Sequence, residues 1–371
     1  EGRAVAAAQS AGGVALPVRS SSIGMTALRR GPAVLQQPPA GAVVPLIVSV
    51  VPVDAAGAVM DRQIAAHLAA GELVVGQSFA TLHGAAAGDS VDLRAGDGTT
   101  RTLPIGLVAP DSTVGGAELV ASSELGTTLG ITQTTRVLIW GFRSRQAIDD
   151  ALTAAGLNAL RIKIVRSWDP RNPDGQLSSA ETKLLLGEFW YREAGSGLSI
   201  DPAWESANIV ARSAMADIPI RAACHRLVQT AVQGALSEIA AAGLAGEIDV
   251  ADSNTNGGCF VPRLNRVTGN LGFVSRHTWG QAIDINVRQN PQGSVPKLDC
   301  GVVRIFRKWG FAWGGNFTSL DGMHFEYVGE RRDQWAYPSR YCPNDAAAKP
   351  GDPAAVGDSR SELLADAGWV E

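Results

Sequence analysis

A histidine and an aspartate stand seven positions apart in the segment SRHTWGQAIDIN, residues 275–286, and this spacing restricts how the chain around them folds. Seven residues separate the side chains of His277 and Asp284 by about 10 Å on a helix, and by more than about 20 Å in an extended strand. Donor atoms that share one metal ion lie within about 3–4 Å of one another. The two side chains can therefore act together only if the chain folds back between them, and Gly280 makes a tight bend easiest there.

Two segments alternate between apolar and polar side chains, which is typical of strands with one buried face. In the first, residues 282–287, Asp284 lies on the polar face. In the second, residues 321–328 (DGMHFEYV), His324 lies on the polar face. Two such strands side by side bring cross-strand neighbours within about 5 Å of each other. We therefore predict a small antiparallel sheet on which His277 joins these two side chains around one ion.

Two imidazoles and a carboxylate around one cation leave a fourth position for water, which is typical of a catalytic zinc ion rather than a structural one. Hydrolysis also needs a base that takes a proton from this water. Asp321 is the preferred base, because a residue just before the strand can overhang the metal without binding it. Glu326 is the alternative, and if Asp321 is the base we expect Glu326 to orient a ligand from behind. An isolated histidine on a strand is more often a hydrogen-bonded structural residue, so the prediction depends on both segments together.

The segments SRHTWGQAIDIN and GFAWGGNFTSLDGMHFE closely resemble the VanY-type D-alanyl-D-alanine carboxypeptidases, a family of zinc peptidases that includes L-alanyl-D-glutamate endopeptidases of phage and bacilli. The family pattern is S-x-H-x6-D, followed by an acid three residues before a second histidine. Five residues match it position by position: Ser275, His277, Asp284, Asp321 and His324. The resemblance extends over roughly residues 220–327.

The resemblance also implies roles around the metal ligands. The family carries an upstream arginine in a phrase like GCFVPR, and Arg263 occupies that place. A guanidinium suits a substrate carbonyl or carboxylate, so Arg263 is expected to bind substrate and to stabilise the oxyanion. Ser275 is expected to help place the substrate. The implied activity is hydrolysis of a peptide bond in peptidoglycan stem peptides, with one Zn²⁺ ion and with Asp321 as the base.

Two alternatives stand beside this function. The C-terminal domain is either a cell-wall-binding or scaffolding module that keeps the peptidase fold without turnover, or an enzyme held inactive until the N-terminal domain engages a partner. Carboxypeptidase and endopeptidase action are both open, because the first needs a closed pocket and the second an open groove.

Composition along the chain predicts two α+β domains between two tails. Residues 1–41 are rich in Ala, Gly, Ser and Pro and are expected to be a flexible segment. Residues 42–166 alternate β-branched runs with turns, which predicts a separate accessory α+β domain. Part of it resembles extracytoplasmic domains of bacterial membrane-transport proteins. Residues 176–342 are expected to form the peptidase domain, with flanking helices around its sheet, and residues 343–371 a C-terminal tail.

Three helices are predicted from residue spacing. Residues 145–156 have helical spacing and end in a glycine. Ser178 and Glu181 have the spacing of a capping box, so a helix should begin there. Residues 222–243 carry an apolar face.

The four cysteines all lie in the C-terminal half, and none belongs to a CxxC pair. Two disulfides are expected if the protein is exported, and three connectivities are open. Proximity in the sequence favours Cys224 with Cys259 and Cys300 with Cys342. Four separate buried thiols are the alternative.

Charge and hydropathy exclude other classes of protein. The net charge of −4 gives no indication of a nucleic-acid partner. The most apolar stretch, residues 41–53, is too short to span a membrane and is better explained as a buried strand. The sequence begins without a methionine or a signal peptide. We expect a processed or truncated extracytoplasmic protein, secreted or anchored at the cell envelope, whose signal or anchor lies outside this sequence. A membrane or cell-wall partner is expected for the N-terminal domain.

Overall fold

The structure, a computed structural model, describes residues 1–157, 176–195, 197–211, 213–215, 218–251, 255–268, 271–317, 319–333, 339 and 341–342. The chain divides into two compact units. The first comprises residues 1–158, 177–206 and 262–275, and the second comprises residues 159–176, 207–261 and 276–371. Both contain helices and strands, so the α+β class is confirmed.

The helices and strands of the described residues follow one another along the chain with short connections. The first elements are α1 (Gly2–Ser10), β1 (Val14–Arg30), β2 (Ala33–Gln36), β3 (Val44–Val51), α2 (Val53–Val59), α3 (Arg62–Ala69), β4 (Leu73–Gly76), α4 (Gln77–His83), β5 (Ser90–Arg94), β6 (Thr100–Ala109), β7 (Leu119–Ser122), α5 (Ser123–Thr128), β8 (Thr134–Trp140) and α6 (Arg145–Ala154). The later elements are α7 (Ser179–Leu186), β9 (Tyr191–Ala194), β10 (Gly197–Ile200), α8 (Pro202–Asn208), β11 (Ser213–Met215), β12 (Ile220–Ala222), α9 (Arg226–Ala241), β13 (Leu264–Thr268), β14 (Leu271–Val274), β15 (Ala282–Asp284), α10 (Cys300–Lys308), β16 (Phe311–Trp313) and β17 (His324–Tyr327). None of the described helices is both long and apolar enough to cross a membrane.

Ten described strands of the first unit form one mixed sheet around the long strand β1. The pairings of β1, β3, β7, β4, β6 and β5 close into a ring, because β5 pairs back with β1. One apolar cluster, which includes Val75 and Leu119, packs on one face of these strands. Val74 and Val120 point to the opposite face and pack with residues of α2 and α3. Alternation along each strand therefore gives the unit two cores.

The prediction that residues 1–41 are flexible is wrong. They form α1, β2 and the 17-residue strand β1, which pairs with β3, β5, β8 and β14. The Ser and Gly residues that resemble a linker in composition are small side chains on a crowded strand. A Cβ atom on Gly24 would lie 2.7 Å from the side chain of Val43, so a larger residue does not fit there.

The predicted boundaries at 42–166 and 176–342 also differ from the units. Residues 177–206 belong to the first unit, where Val43 and Tyr191 form a β-bridge. Residues 262–275 belong there too, because β14 pairs with β1 and Leu271 lies in the core. Both segments follow the expected interdomain break, so a boundary placed by composition could not separate them. Most of residues 158–175 and the predicted tail at 343–371 lie outside the described residues.

A buried group of charges fixes α7 to the sheet of the first unit. The ammonium of Lys183 lies 2.6 Å from a carboxylate oxygen of Glu118 and 3.0 Å from one of Glu188. The imidazole of His83 lies 3.4 Å from Glu188, and burial lowers the pKa of His83 to about 4. The helix begins at the predicted capping box, in which Ser178 and the residue three positions later exchange hydrogen bonds.

The second unit contains the small antiparallel sheet that the sequence predicts. Its strand order is β15-β17-β16. Helices α9 and α10 pack against each other, and α10 also packs on β16. Phe306 of α10 stacks on Phe325 of β17 with ring centroids 4.4 Å apart. The aromatic packing holds β17, which carries His324, in place.

The structure pairs the four cysteines in the connectivity that proximity in the sequence favours. Cys224 bonds to Cys259, and Cys300 bonds to Cys342. The sequence separations are 35 and 42 residues. Crosslinks over loops of this length stabilise a fold by about 2–4 kcal/mol, mainly by restricting the unfolded chain.

Candidate metal centre

The chain reverses direction between His277 and Asp284, as their spacing requires. His277 lies in a short 3₁₀ helix at Arg276–Trp279. Gly280 follows with φ of 62°, a left-handed conformation that glycine adopts without strain. Strand β15 then pairs with β17 so that Asp284 lies directly opposite His324. The bend and the strand register together bring the three side chains to one place.

The three predicted metal ligands lie close enough to share one ion. His277 Nε2 is 3.5 Å from Asp284 Oδ2, and His324 Nδ1 is 3.1 Å from Asp284 Oδ1. One ligand atom from each residue can be chosen so that all lie within 4.8 Å of one another. His277 is buried, and the other two are partly accessible. The arrangement has the donor types and the spacing of a three-ligand metal site.

Each imidazole is fixed from behind by a group that leaves one ring nitrogen facing the centre. His277 Nδ1 contacts the carbonyl oxygen of Gly258, and since a carbonyl only accepts, this nitrogen carries the proton. His324 Nε2 lies 3.7 Å from Glu326 Oε2. Partners of this kind set the tautomer and orientation of metal-binding histidines. They leave His277 Nε2 and His324 Nδ1 as the donors.

The electrostatics of the centre favour a bound cation. Burial acts to raise the pKa of Asp284, but hydrogen bonds from His277 and His324 outweigh it and hold this pKa well below the ordinary value. Burial acts to lower the pKa of His324, but hydrogen bonds with Asp284 and Glu326 raise it to about 10. The carboxylates therefore hold positive charge at the centre. Because ligands bind metal in their deprotonated form, a metal ion competes with protons here, and its affinity falls as the pH falls.

Asp321 lies beside the three ligands, just before β17. Its backbone N–H donates to Gly314 O at 2.9 Å, and its carbonyl accepts from His324 N at 3.0 Å. Its Oδ2 accepts a hydrogen bond from Gln292 Nε2 at 3.1 Å. Among the described residues its buried Oδ1 has no hydrogen-bond partner. Burial raises the pKa of Asp321, and the charges of Asp284 and His324 also act on this carboxyl group. A carboxylate with these properties is suited to accept a proton.

Glu326, the alternative base, is buried behind His324. Its Oε1 lies 3.3 Å from Arg276 Nε, and its Oε2 accepts from Gln176 Nε2 at 3.1 Å. The side chain has 0% of its surface exposed. This position fits a group that orients His324. Sequence analysis missed Gln176 and Arg276; only Arg276, next to His277, had any local signal.

Replacing Glu326 with glutamine is expected to weaken zinc binding by about 10–100-fold, the usual effect of losing a group that orients a ligand. An amide carries no charge to hold the proton on His324 Nε2. Competition with a coloured chelator measures the affinity. Glu238→Gln is the matched control, because Glu238 binds Lys308 and Trp309 on the surface of the same unit. Equal affinities for both variants would remove this role from Glu326.

Arg263 and Ser275, which the resemblance assigns to the substrate, belong to the first unit. They flank the β13–β14 hairpin, and Ser275 N donates to Arg263 O at 3.0 Å. Arg263 is exposed and Ser275 is buried. Their roles in substrate binding stay predictions.

Comparison with known proteins bears on the segment that contains the centre. The model of a family described as D-alanyl-D-alanine carboxypeptidase matches residues 268–327. This range includes the three predicted metal ligands and Asp321. Comparison with curated proteins finds no significant match. The family match indicates a peptidase. Over residues 268–327 the chain therefore belongs to the D-alanyl-D-alanine carboxypeptidase family, which the sequence resembles.

Proposed function

We propose that the protein is a zinc-dependent peptidase that hydrolyses a peptide bond in bacterial peptidoglycan stem peptides. The observation that carries this proposal is the group of His277, Asp284 and His324, whose ligand atoms lie within 4.8 Å of one another. Asp321 stands beside the group, and all four residues fall within the family match. D-alanyl-D-alanine carboxypeptidase action and related endopeptidase action are both compatible with this centre.

The donor set fits zinc. Two imidazole nitrogens and one carboxylate oxygen suit a borderline-soft divalent cation, and three protein ligands leave a position open. A zinc ion bound there supplies Lewis acidity, which lets water lose a proton near neutral pH. The carbonyl of Gly258 and the carboxylate of Glu326 keep the two imidazoles turned toward the centre.

Asp321 carries the proton transfers in the proposed reaction. Its buried Oδ1 takes a proton from the attacking water while the water oxygen bonds to the substrate carbonyl carbon. The same carboxyl group then gives that proton to the leaving amine as the C–N bond breaks. Arg263 is proposed to bind a substrate carbonyl or carboxylate, and Ser275 to help place the peptide.

We also propose that the protein acts outside the cytoplasm. Two disulfides join the four cysteines, and disulfides persist mainly in oxidising compartments. Peptidoglycan lies in such a compartment. The first unit is proposed to engage a membrane or cell-wall partner.

Incubation of the full chain with purified muropeptides tests the function. With zinc, mass spectrometry should show loss of a terminal D-alanine or cleavage between L-alanine and D-glutamate. Chelation of the metal should stop the reaction, and added zinc should restore it. Zinc binding without any cleavage would contradict the proposal and favour a cell-wall-binding module.

A further inference from the structure

A short backbone segment, residues 255–259, supports two of the three proposed metal ligands. Gly257 N donates to Asp284 O at 2.8 Å, and Asp284 N donates back to Gly257 O at 3.0 Å. The next carbonyl, that of Gly258, accepts from His277 Nδ1. The positions of the Asp284 backbone and of the His277 ring therefore depend on where this segment lies.

The supporting segment has no helix or strand of its own to hold it. Gly257 and Gly258 have φ values of 113° and 66°, a backbone region that residues with side chains rarely adopt. Its remaining backbone tie is Thr255 O, which accepts from Val287 N at 3.0 Å, and Asn256 Oδ1 accepts from Asn286 N at 2.9 Å. Fixing such a segment costs conformational entropy, so a covalent tie has a large effect on its position.

The Cys224–Cys259 disulfide is that tie. Cys259 directly follows Gly258, and both cysteines are buried. At the other end, Cys224 precedes His225, whose N–H donates to Gly280 O at 3.0 Å. A Cβ atom on Gly280 would lie 2.6 Å from His225 N, so the backbones touch at this turn. The disulfide thus joins the segment behind His277 to the strand end that packs on the turn between His277 and Asp284.

We propose that the Cys224–Cys259 disulfide is a positioning element of the metal centre: it keeps the Gly258 carbonyl on His277 and thereby sets the affinity for zinc. This inference rests on the proposed function only for the identity of the metal. Reduction adds two electrons and two protons to the disulfide and yields two thiols, while a dithiol reductant closes into its own disulfide. Full metal affinity then requires an oxidising compartment.

The second disulfide provides a matched control. Cys300 begins α10, and neither Cys300 nor Cys342 is next in sequence to a residue that supports a ligand in the description above. The loops that the two disulfides close, 35 and 42 residues, are similar in length. Loss of either should therefore lower the free energy of unfolding by a similar amount, about 2–4 kcal/mol.

Zinc affinity of two double variants of the full chain tests the proposal, by competition with a coloured chelator. C224S/C259S should raise the Kd for Zn²⁺ by about 10–100-fold, as loss of ligand support does, whereas C300S/C342S should leave it unchanged. If C224S/C259S does not fold, the C300S/C342S protein is treated with a phosphine, which becomes a phosphine oxide with oxygen from water. Only Cys224–Cys259 is then left to be reduced.

The outcomes separate this inference from the proposed function. Equal zinc affinities for the wild type and both variants, or equal weakening in both, would overturn the positioning role. A wild type that binds zinc but cleaves no muropeptide would contradict the proposed function and leave the positioning role intact. A wild type that binds no zinc would overturn both.

Discussion

Replacing His324 with alanine is expected to abolish both zinc binding and peptide hydrolysis. His324 supplies one of three proposed ligand atoms and lies opposite Asp284 in the sheet, so no other imidazole on the described strands can take its place. A bound metal contributes several kcal/mol to the transition state, and each 1.36 kcal/mol corresponds to a tenfold change in rate. Turnover should therefore fall by at least about 10³-fold. Metal content after dialysis and muropeptide cleavage by mass spectrometry measure the two losses.

The matched control for this variant is His67→Ala. His67 lies in the first unit and contacts Glu72 on a partly exposed surface. The control should keep its zinc and its activity. A His324→Ala protein that still holds one zinc per chain would show that the three side chains do not form the metal site.

Replacing Asp321 with asparagine is expected to spare zinc binding and to lower turnover by about 10²–10⁴-fold, the usual contribution of a general base. The amide keeps the size of the side chain and an oxygen for Gln292, but it cannot accept a proton from water. Asp321 is also absent from the group of residues whose ligand atoms converge. The measurement is zinc content together with kcat on muropeptides, because loss of metal would otherwise explain loss of rate.

Asp333→Asn is the control for this variant, since Asp333 pairs with Arg331 on the surface after β17. It should change neither quantity. Full activity of Asp321→Asn with normal zinc content would show that another group is the base. Loss of zinc from the same variant would instead make Asp321 a ligand.

The ligands of the centre could be predicted from the sequence because their signals are local. Alternation in residues 282–287 and 321–328 gives the faces of the two strands, and a glycine marks the bend after His277. The strand register then follows, since a shift by one residue would turn Asp284 or His324 to the apolar face.

The groups that support the ligands could not be predicted in this way. Gly258 acts through its backbone carbonyl, and a carbonyl has no signature in the residue type. Gln176 reaches Glu326 across 150 positions of sequence, so no spacing rule connects them. The mistaken flexible segment at residues 1–41 has a related cause: the small residues of β1 are required by packing against distant strands, and composition alone resembles that of a linker.

The chain enters each unit three times, and this order of segments has a consequence for biosynthesis. The first unit receives its last strand, β14, only when Val274 has been made, after the second unit's α9 and both cysteines of the first disulfide. Folding from the N-terminus, one complete domain before the next, is therefore closed to this polypeptide. A nascent chain that stops earlier leaves part of β1 without its neighbour, and such an open strand edge is a site of aggregation that a chaperone or a secretion pathway must protect.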